Sequence, residues 1–386
     1  MRTVLILLAW LWVGVPSVVA QERLNLDWPA LAQKIVERMA LEPGEKVLLV
    51  AHPDMFREIV PHLRYEVMKA GAVDLGVIDV LASAPFESWN PQVLQRAARS
   101  SREAYRTMFR DVDAAVMLPG ARPFHPPYAA MQDLLREGRG RTVHFHWLEN
   151  GSAFPIPGQP LPPLHVFDAT YQKALLNTAY KALARIQQRF EESLRGEEIR
   201  VTTSLGTDLR FRIGSRPVNR QDGDASRARA ENGITLIDRE IELPAGALRV
   251  APLEETVEGT IAFPPSQWDS RPVVGLRLRF VEGRVVDISA DSGLTAVEAE
   301  MSGAGPAGRR FREFALGFNE ELAVPDRNPW IPYYGYGAGV VRLSLGDNSE
   351  LGGTVTGGYF RWNFFTDATV TVGDQVWVRD GKLVMR

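Results

Sequence analysis

The hexapeptide KVLLVA at Lys46–Ala51 is apolar at every position after its first, with Pro43-Gly44 before it and His52-Pro53 after it. A strand without polar alternation must be covered on both faces, which a parallel sheet layered between helices provides. The neighbouring segments agree with that reading. Asp27 and Pro29 stand where an N-cap and a first-turn proline belong, ahead of the helical pattern ALAQKIVERMAL. A second helix is expected over Phe56–Ala72, with Pro61 near its start, followed by a strand at VDLGVIDV (Val73–Val80). Strand, helix and strand joined by short connections form a right-handed crossover unit. The alternation continues: a helix near Pro91–Arg110, a strand at Asp113–Leu118, a helix near Pro127–Glu137 and a strand at Arg141–Trp147.

The Pro-rich segment PIPGQPLPPL (Pro155–Leu164) closes this first unit. Asp168–Arg195 reads as one long amphipathic helix, after which the texture changes to short strands separated by Gly, Pro and Asp. These are expected at Glu198–Ser204, Leu209–Gly214, Leu248–Leu253, Gly259–Phe263 and Val274–Ala290, the last folding back as a hairpin at Glu282-Gly283. A helix is expected from about Gly308 to Leu316, before a strand-rich end. The expected fold class is α/β: an N-terminal parallel-sheet α/β domain at 21–165, then a strand-rich α+β C-terminal domain at 166–386.

The first twenty residues read as a secretory signal. Arg2 supplies a positive start, Val4–Val13 an apolar run and Val18-Val19-Ala20 a small-residue cleavage site before Gln21. The run is short for a membrane span and is interrupted by Gly14 and Pro16, so a secreted or periplasmic protein without stable membrane insertion is expected. Cysteine is absent, which removes thiol nucleophiles, disulfides and thiolate metal sites. A formal net charge of −3 gives no footprint for nucleic acid. None of the six histidines lies beyond His165, so a histidine-ligated metal in the second half needs a residue from the first. Serine-hydrolase elbows, Walker loops and dinucleotide fingerprints are absent from the sequence.

Four landmarks in the second half carry a resemblance. They are ELPAGALRVAPLEETVEGTI (Glu242–Ile261), REFALGFN (Arg312–Asn319), VVRLSLGDNSELGG (Val340–Gly353) and YFRWNFF (Tyr359–Phe365), supported by GTDLRF (Gly206–Phe211). In this order they resemble the thermophilic metallo-aminopeptidase family, the aminopeptidase T type. The resemblance implies a two-metal hydrolase whose ligands are four carboxylates and two histidines. At the positions that match those ligands this chain carries Ala247, Glu313, Gly337, Arg342, Arg361 and Asn363. Only Glu313 keeps a ligand. Two metal ions against four carboxylates sum to zero, whereas Glu313 with Arg342 and Arg361 sums to one positive charge.

Arginine cannot ligate a cation, so no metal and no cofactor is expected, and guanidinium groups take the electrostatic place of the metals. The leading expectation is an exported pseudoenzyme-like relative that lacks two-metal peptidase activity. It would serve as a binding protein or as an enzyme of metal-independent chemistry, taking a small anionic ligand, of peptide or amino-acid type, at Arg342, Arg361, Asn363 and Glu313. The family's pairing into homodimers carries over as an expectation. One alternative is an active exported aminopeptidase with non-standard ligands. Another is a relative of the metal-dependent ring-opening dioxygenases that resemble this fold.

Several residues keep other readings open. Asp347, Glu350 and Asp367 are candidate ligands for a hard cation, or solvated turn charges. His144 and His146 share one strand face, as a metal-binding His-x-His pair or as strand-end histidines. His52 follows a strand at its carboxyl end, where open α/β sheets place ligands, with Asp54 as a helix cap beside it.

Overall fold

The computed structural model describes residues 24–81, 89–147 and 152–385. The secretory signal read at residues 1–20 lies outside them. Alternation of strands and helices builds a five-stranded parallel sheet in the order β2 (Val73–Asp79), β1 (Lys46–Ala51), β3 (Ala114–Met117), β4 (Arg141–Phe145) and then Glu240–Leu243. Helix α1 (Trp28–Met39) precedes β1, and α2 (Ile59–Lys69), α3 (Pro91–Met108) and α4 (Pro126–Arg136) connect β1 to β2, β2 to β3 and β3 to β4. The Asp27 carboxylate accepts from the Ala30 amide, and Pro61 falls in the first turn of α2, where its missing N–H costs little. β1 is buried along its length after Lys46, as its composition demands.

The sheet's last strand, Glu240–Leu243, comes from far along the chain and pairs in parallel with β4, placing Glu242 opposite His144. Arg141 at the start of β4 is buried and forms two 2.7 Å bonds to Glu45, while Arg227 reaches the same carboxylate. Burial pushes Glu45 up, but the two arginines and a backbone amide more than offset this and hold it at about 2.

The segment expected as one helix at Asp168–Arg195 is two helices, α5 (Leu164–Asn177) and α6 (Tyr180–Leu194). Thr178 between them is extended; its hydroxyl donates to the Ala174 carbonyl and accepts from the Asn319 side chain. The remaining described chain forms antiparallel sheets of eight and six strands, with two further two-stranded pairs. Glu282 and Gly283 have φ of 48° and 67°, the left-handed pair that a two-residue hairpin requires.

The helix expected near Gly308–Leu316 is instead the strand Phe311–Gly317. It is buried at all seven positions between the strands Ala247–Val250 and Val341–Gly346, and that tertiary pairing overrides the helix preference of Glu, Ala and Leu. Phe211, Phe280 and Phe263 of the eight-stranded side meet Phe314, Phe311 and Phe365 of the six-stranded one, forming the core between the sheets. The other face of the six-stranded sheet turns toward the N-terminal domain.

Candidate functional site

Strand periodicity decides what that other face presents. In the six-stranded sheet Arg249 pairs with Ala315, and Ala315 with Arg342, so the three lie in a row on one face. Glu313, two residues from Ala315, shares that face, and Ser344 stands opposite it. The intervening Leu248, Val250, Phe314, Leu316, Val341 and Leu343 enter the apolar core. Between Phe311 and Glu313 the register slips by one residue. This bulge brings Arg312 to the cavity side as well, a common use of a bulge beside a binding site.

The resulting cluster is tightly paired. Glu313 is fully buried; Arg249 Nη2 lies 3.0 Å from its Oε2, Arg342 Nε 3.0 Å from its Oε1, and the Ser344 hydroxyl donates to Oε1 at 3.1 Å. Burial pushes the Glu313 carboxyl up, but Arg249, Arg342 and Arg312 together outweigh it and hold the group far below the usual carboxylate range. Glu350 at the rim bridges Arg249 and Arg312. Three guanidiniums facing two carboxylates leave one positive charge. Arg342, only 2% exposed, spends Nη1 on the Tyr334 carbonyl, and its Nη2 has no hydrogen-bond partner among the described residues.

The cluster forms one wall of a cavity of about 980 Å³ between the two domains. The opposite wall is the carboxyl-terminal end of the parallel sheet, where ligands of open α/β sheets gather. There His144 and His146 of the β4 segment and Glu240 and Glu242 of the adjoining strand face inward, each pair two residues apart. The Tyr128 hydroxyl lies 2.6 Å from His144 Nδ1, and Gln132 donates to Glu240 Oε1 at 2.8 Å. Tyr336 donates its hydroxyl to Glu242. Burial keeps both histidines below the ordinary imidazole range, hence neutral near pH 7.

Burial also pushes Glu240 up to about 8, with Glu350 and Glu242 adding to it and Gln132 opposing it. Its folded-state value therefore exceeds the unfolded one. The folded state keeps the proton that the unfolded chain releases above about 4.5, and stability falls as pH rises from there toward about 8. Glu240→Gln is expected to leave stability unchanged below pH 4.5 and to raise it at pH 8, by on the order of 1–3 kcal/mol. Denaturant unfolding of both proteins at the two pH values checks this.

Of the ligand positions carried by the resemblance, Ala247, Glu313 and Arg342 share the cavity face, but Arg361 and Asn363 do not. Arg361 pairs with Leu345, a core-facing residue, so alternation turns Phe360 and Trp362 to the cavity and Arg361 and Asn363 away. Arg361 instead lies 3.6 Å over the Trp268 ring and bonds Glu300 at 2.8 Å, while Asn363 donates to the Leu343 carbonyl. The anion site expected between Arg342 and Arg361 is thereby corrected; the arginines beside Arg342 are Arg249 and Arg312. Arg249 had a signal in the sequence, two residues from Ala247 and so on its face; Arg312, next to Glu313, would face the other way but for the bulge.

The remaining candidates are accounted for locally. Asp347 accepts from the amides of Ser349, Gly357 and Gly358, and Asp367 accepts from Ser204. The Asp54 amide donates to His52, and α2 begins only at Ile59, so Asp54 is not its cap.

The residues do not fit a pair of metal ions. A side chain at Gly337 would overlap the Leu322 carbonyl, Ala247 offers no donor atom, and Glu313 is committed to arginines. Among the described residues, no group of three or more His, Asp or Glu is placed to hold an ion.

Fold and cavity together define an α/β protein in which an N-terminal parallel sheet and a strand-rich C-terminal region flank the cavity. Residues 174–324 match the family model of the thermophilic metalloproteases (M29), which bears out the resemblance that the motifs carry. AmpT of Thermus thermophilus has the same fold, with a TM-score of 0.60 at 16% identity over 93% of this chain and 99% of its own. A 2,5-dihydroxypyridine dioxygenase of Pseudomonas putida is similar at TM-score 0.63 and 13% identity, over 93% of this chain and 97% of its own. No curated protein sequence matches.

Proposed function

We propose that this aminopeptidase T-like chain uses the cavity between its domains to bind a small anionic ligand, of amino-acid or peptide type, in place of two-metal peptide hydrolysis. Supporting this reading, Glu313 and Arg342 match ligand positions that the resemblance implies, and Arg249 and Arg312 lie beside them around the same carboxylates. The single observation that carries the reading is Arg342 Nη2, a buried cationic donor at the cavity without a hydrogen-bond partner among the described residues. Such a group costs free energy until an acceptor reaches it, and a carboxylate or phosphate suits a guanidinium edge.

Calorimetric titration with acetate, glycylglycine and phosphate tests this. At least one should bind, and Arg342→Ala should weaken that binding by about 2–5 kcal/mol. Arg361→Ala, on the other face, should leave it unchanged. Equal loss in both variants, or no binding of any probe, would overturn the reading.

Export belongs to the same proposal, resting on the charged, apolar and small-residue pattern at the N-terminus. Among the described residues no helix is long and apolar enough to cross a membrane. N-terminal sequencing of the mature protein should begin near Gln21; retention of Met1 would refute export by cleavage.

A further inference from the structure

The wall facing the arginines has a composition that anion binding alone does not explain. Tyr128, His144 and Glu240 are all at least nine-tenths buried, yet all three line the cavity. Each comes from a different element, α4, β4 and the Glu240–Leu243 strand, and the parallel pairing of the two strands brings them together. The Tyr128 hydroxyl lies along the nitrogen edge of His144, 2.6 Å from Nδ1 and 3.0 Å from Nε2. His144 Nε2 is 3.5 Å from Glu240 Oε1, the same oxygen that Gln132 addresses at 2.8 Å. Glu240 Oε2 receives no hydrogen bond from the described residues. The three groups line the cavity with hydrogen-bonding capacity that a ligand can use.

The space between this wall and the arginines is lined by rings. Arg342 sits 5.2 Å from the Trp362 ring centre and Arg312 5.7 Å from that of Phe360. Tyr334 meets Trp362 edge-on at 5.2 Å. Such walls favour a planar ring by offset or edge-to-face contact. The volume of about 980 Å³ is ample for one.

We propose that Tyr128, His144 and Glu240 form a second recognition subsite, which takes a hydroxyl or amino group on an aromatic carboxylate whose anion is held at Arg342. The assignment rests on the anion-binding reading above and narrows it. The three groups offer both donors and acceptors: a phenol, a neutral imidazole and a carboxyl group. A ligand hydroxyl or amine can therefore both give and receive there, whereas an unsubstituted ring leaves the subsite unpaired.

The test is a calorimetric series on the mature protein with cyclohexanecarboxylate, benzoate, 3- and 4-hydroxybenzoate and 4-aminobenzoate. Benzoate should bind more tightly than cyclohexanecarboxylate. At least one hydroxyl- or amino-bearing ring should bind about tenfold more tightly than benzoate. Tyr128→Phe and Glu240→Leu should each remove that increment while leaving benzoate affinity within about twofold, and Glu240→Gln, which keeps a neutral hydrogen-bonding group, should retain it. Equal affinity for every carboxylate in the wild-type protein would overturn the subsite and leave anion binding intact. Survival of the increment in both Tyr128→Phe and Glu240→Leu would do the same. Absence of binding by all these carboxylates, together with acetate and phosphate, would overturn both.

Discussion

Glu313→Gln is expected to destabilise the protein by about 3–5 kcal/mol, the cost of removing one partner from a buried ion cluster. Glu313 is completely buried against Arg249, Arg342 and Arg312. Its neutral replacement leaves Arg342 without any carboxylate and leaves Arg249 and Arg312 sharing Glu350 at the rim. Glu350→Gln should cost much less, because that carboxylate is 36% exposed and its pairs are screened. Denaturant unfolding of both variants measures the difference; equal small effects would mean that Glu313 is not the centre of the cluster. The group's depressed pKa adds a signature in acid. Its stabilisation is fully present above the unfolded value of about 4.5 and is lost progressively as pH falls below it. Glu313→Gln should abolish that part of the acid sensitivity.

The second large effect lies at the start of β4, in the parallel sheet. Arg141→Ala should cost about 3–5 kcal/mol. It would leave the half-exposed Arg227 and the Glu42 amide to hold the Glu45 carboxylate, and it would free the Ala225 and Met39 carbonyls that Arg141 also caps. The bond to the Ala225 carbonyl fastens the segment before the Glu240 strand onto the N-terminal sheet, so the cavity wall should loosen with its loss. Glu45 is held at about 2, so the lost stabilisation lies in the window between about 4.5 and 2, fully present above it and absent below. Unfolding free energies of wild-type and Arg141→Ala protein should therefore converge in acid. A pH-independent difference would contradict the linkage.

Where the sequence was legible and where it was not follows one physical division. β1 and β3 announce themselves because strands buried on both faces are apolar throughout, and their burial is local chemistry. The strand Phe311–Gly317 does not, since REFALG has the composition of a helix and is a strand only because strands from residues 247–250 and 341–346 flank it. The fifth strand of the parallel sheet is equally hidden: its four residues, EIEL, join β4 across about a hundred positions of chain. In the site, Glu313 and Arg342 were readable from the motifs. Arg361 and Asn363 were assigned by position, and alternation along one short strand carried them to the opposite face. Arg312 owes its place to a bulge, which no periodicity foretells. Glu240 and Glu242 acquire meaning only once their strand lies beside His144 and His146.

The proposed function turns on guanidinium groups standing in place of the metal ions that the resemblance implies. The metal content of protein purified without chelator, determined by mass spectrometry, tests it most directly. The arrangement of Arg249, Arg312 and Arg342 around Glu313 predicts substoichiometric zinc, cobalt and manganese, with no cleavage of amino-acid anilides when these metals are added. Two tightly bound metal ions per chain, with an anilide-cleaving activity that chelator abolishes, would contradict it.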